Sequence, residues 1–255
     1  MSMIANSSSQ IQNLSRQISS GKQINSAADN PAGLAISEGM SAQERGLHQG
    51  TRNTADMQSL VNTAEGALSS INSNLQRLNE LALQASNGIL NASDRANIQV
   101  EVNQILENIE QISQTTQFNT RNLLDGSATN LHTASSPDGS GMSVSIPGMS
   151  LSDLGLEGFD VTGNFDIQRI HSAMNNVNAA RGSLGAMSNR MDYIMTSNDI
   201  SALNLASARS RIEDTDMAQA ASELARERVL EQYQVAAQRR EQERLENQTQ
   251  RLFTF

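Results

Sequence analysis

Apolar residues recur every three or four positions through the first half of the chain. Between Leu34 and Ser86 no proline and few glycines interrupt this pattern, which runs through Met57, Leu60, Val61, Ala64, Leu68, Ile71, Leu75, Leu78 and Ala82. Such spacing is typical of a helix that buries one face against a partner. A helix over 34–86 would be roughly 80 Å long, which is unlike the core helices of ordinary enzymes.

A second helix is predicted over 93–113, after a short joint in which Asn91 can serve as the cap. Its apolar positions follow spacings of four, three, four and three, as in a coiled-coil seam: Ile98, Val102, Ile105, Ile109 and Ile112. Because the joint at 87–93 is short, we expect the two helices to lie antiparallel.

Helical periodicity disappears between residues 115 and 164, where Ser, Gly, Thr and Asp dominate. The alternation at 143–146 is typical of a strand. We therefore expect a small β-hairpin region that is loosely packed and surface exposed.

Apolar periodicity resumes after Asn164, which we interpret as a helix cap. It predicts helices over 166–196 and 201–235, and the apolar stripe weakens after Ala237. Arg181 falls on the first of these seams. It either extends from the seam edge to solvent or is a buried arginine that fixes helix register through a carboxylate partner.

These elements predict a mainly α protein, in which N- and C-terminal segments form a long antiparallel coiled-coil rod around a small β-hairpin/loop insertion. The rod is expected from two parts, 34–126 and 165–218. A short variable β/loop region at 127–164 would separate them. We assign 1–33 to an N-terminal helix and connector, and 219–255 to a C-terminal helical tail.

The composition of the chain argues against several classes of function. The net charge of −9 argues against a nucleic-acid surface, and no apolar run is long enough to span a membrane. The three histidines, His48, His132 and His171, lack partners at metal-ligand spacing, and cysteine is absent. We find no catalytic set and expect neither enzyme activity nor a cofactor. The N-terminus lacks the pattern of an ordinary secretion signal, so export would use another route.

Several motifs, in a fixed order, resemble the signatures of bacterial flagellins. In the first half they lie at 24–38 (INSAADNPAGLAISE), 63–68 (TAEGAL), 75–82, 117–119 (QFN) and 123–126 (LLDG). In the second half they lie at 181–186 (RGSLGA), 189–191 (NRM) and 210–218 (SRIEDTDMA).

The resemblance implies a secreted subunit of the bacterial flagellum. In this family the terminal segments pair into a helical rod, a variable middle faces outward, and subunits stack into a hollow helical filament. Export runs through the flagellar type III apparatus with an export chaperone. Three features differ from the family pattern: a shorter N-terminal segment, a short variable region, and a polar tail at 241–250.

The resemblance also implies a receptor surface. In flagellins the positions matching Gln76, Arg77, Leu81 and Glu101 contact the vertebrate Toll-like receptor that senses flagellin. We expect Arg77 and Leu81 to form an exposed pair on one helix face, and this surface to be covered between subunits in the filament. From the residues alone, a solvated face with an Arg–Glu pair is favoured.

Two alternatives remain at this stage. One is a homologue at the hook–filament junction, which shares the flagellin termini. The other is a signalling coiled coil such as a chemoreceptor hairpin. The non-helical insert at 115–164 argues against the second, because such hairpins keep a tight tip and unbroken heptads.

Overall fold

The computed structural model describes residues 2–252, and the side chains of residues 7–249. Within these limits the chain forms five helices: α1 (Ser2–Ser20), α2 (Pro31–Ala85), α3 (Ala92–Thr115), α4 (Gln168–Glu213) and α5 (Met217–Leu252). Four short strands form two antiparallel hairpins, β1 (Gln117–Phe118) with β2 (Arg121–Asn122), and β3 (Leu131–Ala134) with β4 (Gly141–Val144). The mainly α architecture with a small strand region in the middle is confirmed.

The chain divides into two compact units. Residues 45–202 form the central unit, whereas residues 1–44 and 203–255 form the terminal unit. The boundaries fall inside α2 and α4.

The core of the central unit is aliphatic and comes from three helices and the insert. The apolar stripe of α2 is completely buried at Leu68, Ile71, Leu75 and Leu78. From α3 the predicted seam contributes Ile98, Val102, Ile105 and Ile109, with Ile112 half-buried at the edge. From α4 the residues that belong to this core are Ile170, Ala173, Val177, Ala180, Leu184 and Met191. Burial of this continuous stripe is what holds such long helices together.

The insert is packed rather than loose, so that part of the expectation is wrong. Its polar composition hides alternating apolar positions, and these face inward: Leu123, Leu124, Val144, Ile146, Leu156 and Val161 are all inaccessible to solvent. Arg169 in the first turn of α4 binds the long connection that leads from β4 to this helix. Its Nε and Nη2 donate to the carbonyl of Gly155 at 2.9 and 2.6 Å, and its guanidinium lies 5.7 Å from the ring centre of Phe159.

The β3–β4 hairpin lies against α2 where that helix has no side chain. A Cβ placed on Gly50 would lie 2.2 Å from the carbonyl oxygen of Ser135. Two amides complete the contact: Asn53 Nδ2 donates to the Ala134 carbonyl at 2.9 Å, and the buried Asn198 donates to the Ser135 carbonyl at 2.8 Å. Glycine is required at position 50 because the hairpin backbone occupies the space of a side chain.

The last helices differ from the prediction of separate helices over 166–196 and 201–235. Helix α4 continues without a break through 197–200 to Glu213. Neither proline nor glycine occurs there, and Asn198 bonds to the insert instead of capping a helix. The actual break lies at 214–216.

Two aspartates set the helix starts near these breaks. Asp216 Oδ1 accepts from the backbone N–H groups of Ala218 and Gln219, which begins α5. Asp166, not Asn164, accepts from the N–H of Gln168 at 2.9 Å at the start of α4. The interpretation of Asn164 as the cap is therefore wrong, because an aspartate two residues later occupies the capping position.

Packing is thinner in the terminal unit. Helices α1 and α5 lie side by side, and their contacts include Ser8 Oγ donating to Glu231 at 2.8 Å. Beyond them, the chain's single lysine, Lys22, forms an ion pair with the largely buried Glu213. The adjacent backbone forms an antiparallel bridge, in which Gln23 N–H donates to the Glu213 carbonyl at 2.7 Å. None of the helices in the described part of the chain is long and apolar enough to cross a membrane.

Candidate interaction surface

Arg77 is the centre of an exposed ionic cluster between α2 and α3. Its Nε and Nη2 lie 2.8 and 2.7 Å from Oε1 of Glu101 on α3, and its Nη1 lies 3.0 Å from Oε2 of Glu80. These hydrogen bonds, first that to Glu101 and then that to Glu80, raise the pKa of Arg77 above its ordinary value. The side chain remains half-exposed, and so does that of Glu101. The cluster therefore presents the guanidinium group of Arg77 at the surface, held in place by two carboxylates.

Gln76 lies next to this cluster and is exposed, so three of the four expected surface residues share one accessible region. Leu81 does not. Its side chain is 1% exposed and belongs to the core, so the expected exposed Arg77–Leu81 pair is wrong. Leu81 follows Leu78 by three positions and precedes Ala85 by four, which places it on the buried stripe.

Arg181 lies at the edge of the central core. Its side chain is one-third exposed, and its Nη2 is 4.0 Å from Oε1 of Glu65 on α2. That separation is an ion pair without a hydrogen bond. Among the described residues its Nε has no hydrogen-bond partner. The geometry matches an arginine extending from the seam edge more closely than a buried residue that fixes register.

A cleft between α2 and the β1–β2 hairpin was not foreseen. It has a volume of about 380 Å³ and is lined by the buried Leu60 and the half-buried Met57 and Phe118, with the exposed Asp56 and Arg121 beside them. The hairpin that forms one wall turns through two consecutive residues with positive φ. No local sequence signal identifies the cleft, because its walls come from distant segments.

An apolar side chain stands at the other end of the α2–α3 pair. Ile89, in the turn between the two helices, is 85% exposed and is the most exposed large apolar residue in the described part of the chain. Its neighbour Leu90 packs against the core. Ile89 has no packing role in the single chain.

No metal or catalytic site is evident in the same regions. The described residues contain no group of three His, Asp or Glu that could hold a metal ion. His171 contacts Asn79 at 3.2 Å, His132 lies 3.4 Å from the Gly139 carbonyl, and His48 is exposed. The three imidazoles are dispersed, and each bonds locally or faces solvent.

Comparisons with known proteins identify relatives along nearly the whole chain. The family model "Bacterial flagellin N-terminal helical region" matches residues 1–129, and "Bacterial flagellin C-terminal helical region" matches 167–252. A flagellin of Halalkalibacterium halodurans is 40% identical over 223 residues, which cover 85% of this chain and 82% of that protein. The flagellar filament core protein flaB2 of Brachyspira hyodysenteriae is 36% identical over 239 residues, which cover 86% and 84%.

A solved structure shares the fold. It is that of a putative flagellar hook-associated protein from Vibrio parahaemolyticus, with a TM-score of 0.59, 17% identity, and coverage of 73% of this chain and all of that one. At this identity the similarity concerns the fold alone. The unmatched stretch between the two family models contains β3, β4 and the connection to α4.

Proposed function

The chain belongs to the bacterial flagellin family, and from this membership we propose that it polymerises through its own helices into the flagellar filament. Flagellins are structural proteins of the extracellular filament rather than enzymes. The observation that carries the proposal is the match of both family models to the segments that supply all five helices. Family membership also removes the signalling coiled coil as an alternative.

Electron microscopy of the purified full chain tests this function. We expect long helical filaments after seeding with short filament fragments, under conditions in which the H. halodurans flagellin polymerises as the positive control. Only monomers or short capped stubs, with the control forming filaments, would contradict the proposal. Short stubs would instead favour a hook–filament junction protein.

Export by the flagellar type III apparatus with a chaperone is part of the same proposal. Its support is the family membership, together with apolar side chains left uncovered on α5, of which Val229 is 64% and Tyr233 is 73% exposed. A chaperone that covers them before assembly would keep this helix from aggregating. We expect Val229→Ser with Tyr233→Ser to weaken chaperone binding in a calorimetric titration, whereas Ser222→Ala on the same helix should not. Unchanged binding of the double variant would argue against this site.

Recognition by the vertebrate flagellin-sensing Toll-like receptor is a second proposed function. Its support is the accessible fork of Arg77, held beside Glu101, with Gln76 next to it. Arginines fixed in this way are frequent hot spots of interfaces. Leu81 contributes through the core rather than by direct contact, because its side chain is buried.

Surface plasmon resonance with the receptor ectodomain tests the second function. Arg77→Ala should weaken binding of the monomer by about tenfold or more, as at a hot spot. Arg52→Ala is the matched control, since Arg52 is also an exposed arginine of α2 but bonds only to Gln49 nearby. Equal affinities of both variants and the parent chain would show that this face serves only subunit packing.

A further inference from the structure

The exposed turn between α2 and α3 and the cleft beside β1–β2 each present apolar surface to solvent. The turn presents Ile89, an aliphatic side chain with nothing covering it. The cleft presents an apolar lining of Met57, Leu60 and Phe118 that remains partly open to solvent. In the single chain Ile89 has no apolar surface to cover it, and the apolar cleft has no side chain to fill it.

The charges beside the two surfaces are complementary as well. The first turn of α3, next to Ile89, carries Asp94 and Arg95. The cleft carries one charge of each sign, Asp56 and Arg121, both exposed. Docking can therefore place Asp94, whose Oδ2 also accepts from the Asn91 N–H, near Arg121, and the half-buried Arg95 near Asp56.

The two surfaces also lie at opposite ends of one helix pair. Arg77 on α2 contacts Glu101 on α3, so the two helices run antiparallel, with the turn at one end and β1–β2 at the other. Measured along α2, Ile89 and Met57 are roughly 45 Å apart at 1.5 Å per residue. Identical chains that join through two different surfaces form an open, repeating polymer when each contact shifts the next copy along such an axis.

We propose that the α2–α3 turn of one copy inserts Ile89 into the cleft formed by Met57, Leu60 and Phe118 of a second copy, which joins subunits head to tail. This inference rests on the proposed function, because it names the surfaces through which the filament subunit associates. Successive subunits joined by this contact would be spaced roughly 45 Å apart along the direction of α2.

Disulfide trapping tests the contact directly, because the natural chain has no cysteine. Ile89→Cys and Asp56→Cys are purified separately, mixed, polymerised and oxidised, and linked pairs are measured on a non-reducing gel. We expect a disulfide in this mixture, since docking would bring the two Cα atoms to within about 7 Å. The matched control is Val100→Cys mixed with Asp56→Cys, because Val100 is also an exposed aliphatic residue of this helix pair.

The outcomes separate this inference from the proposed function. Filaments that link Ile89→Cys to Asp56→Cys well above the Val100→Cys control support the contact. Filaments with no excess of that link overturn it and leave the filament function intact. Absence of filaments from the parent chain contradicts the filament function itself.

Polymerisation of surface variants gives an independent check. Because Ile89 is exposed, its substitution leaves the core of the subunit unchanged. Ile89→Asp should raise the critical concentration for polymerisation by about tenfold or more, whereas Ile89→Leu should keep it close to that of the parent chain. A normal critical concentration for Ile89→Asp would also overturn the contact.

Discussion

The central unit and the terminal unit are both built from long helices, but they bury very different amounts of apolar surface. Along α2 the side chains of Leu68, Ile71, Leu75 and Leu78 are all inaccessible to solvent. Among the described side chains of α5 the buried hydrophobic residue is Ala220, and every residue from 236 to 249 is exposed. The same secondary structure is thus a packed core element in one unit and a thinly covered surface in the other.

The two units therefore differ in how much of their stability can come from packing within one chain. A helix gains most of its stability from tertiary burial rather than from intrinsic propensity. The central unit obtains that burial within one chain, so it should fold as a monomer. The terminal unit does not, and we expect neighbouring subunits to supply the missing contacts.

Truncating one leucine in each unit should give the largest contrast. Leu75→Ala in the central core should lower the free energy of unfolding by about 3 kcal/mol, since it leaves a cavity among fully buried neighbours. Leu224→Ala on the half-buried face of α5 should cost about 1 kcal/mol or less. Urea unfolding of the monomers measures both. Equal losses would show that the two units are equally packed.

Closing the space at Gly50 should have the next largest effect. A methyl group there collides with the backbone of Ser135, so Gly50→Ala should destabilise the central unit by about 2 kcal/mol and displace the β3–β4 hairpin. Gly66→Ala on the same helix is the control. Nothing lies within 4 Å of its added methyl group, and the change should stabilise the helix by about 0.5–1 kcal/mol. If both substitutions stabilise the protein, the hairpin is not held as described.

Removing the lysine of the terminal unit should have a smaller, local effect. Lys22→Gln leaves the carboxylate of Glu213 without its nearest cation, but Lys22 is half-exposed, so the loss should be about 1 kcal/mol or less. The amides of Gln23 and Thr215, which bond across the adjacent bridge, should exchange severalfold faster. Lys22→Arg should retain most of the protection. Unaltered exchange in Lys22→Gln would show that the bridge alone holds this junction.

Lowering the pH should have the smallest effect on the stability of the central unit. Three aspartates between α3 and α4 each accept hydrogen bonds from the hydroxyl and the N–H of the residue two positions on: Asp125, Asp138 and Asp160. The hydrogen bond from the hydroxyl group is the largest of the effects that lower the pKa of each carboxyl group below its ordinary value. Because the folded pKa is the lower one, the stabilisation is complete above the unfolded pKa of about 3.9 and is lost as the pH falls through the folded value.

Amide protection measured by NMR from pH 5 to pH 3 checks this expectation. Protection of the turns after these aspartates should decrease below about pH 4, while α2 remains protected. Replacing the three aspartates with asparagine keeps a hydrogen-bond acceptor but removes the titration. If that variant loses protection over the same pH range, the carboxylates are not the cause.

The sequence was sufficient to predict the helices whose burial is continuous. The apolar spacing from Met57 to Ala82 and the seam from Ile98 to Ile112 correspond to α2 and α3, and the strands fall in the segment expected to hold them. The helix break before α5 could not be predicted in the same way. It depends on the long-range bridge between Lys22 and Asp214, whereas Asn198, a plausible cap by type, is instead bonded to Ser135.

The candidate surface was only partly predictable for a related reason. The exposure of Arg77 follows from its position opposite the stripe, but its pairing with Glu101 depends on the register between α2 and α3. The expected exposure of Leu81 is wrong because both α3 and α4 pack against α2, and residues of all three helices belong to one core with Leu81. Two neighbours widen the buried face of a helix beyond the stripe that spacing alone defines.

Hydrogen exchange of the full chain, measured as monomer and as filament, shows whether neighbouring subunits complete the packing of the terminal unit. We expect amides of α1 and α5 to exchange within seconds to minutes in the monomer, far faster than those of α2 between Leu60 and Leu78. Polymerisation should slow exchange in α1 and α5 by at least about a hundredfold. Equal protection of α5 and α2 in the monomer would contradict this expectation, and so would rapid exchange of α1 and α5 that persists in the filament.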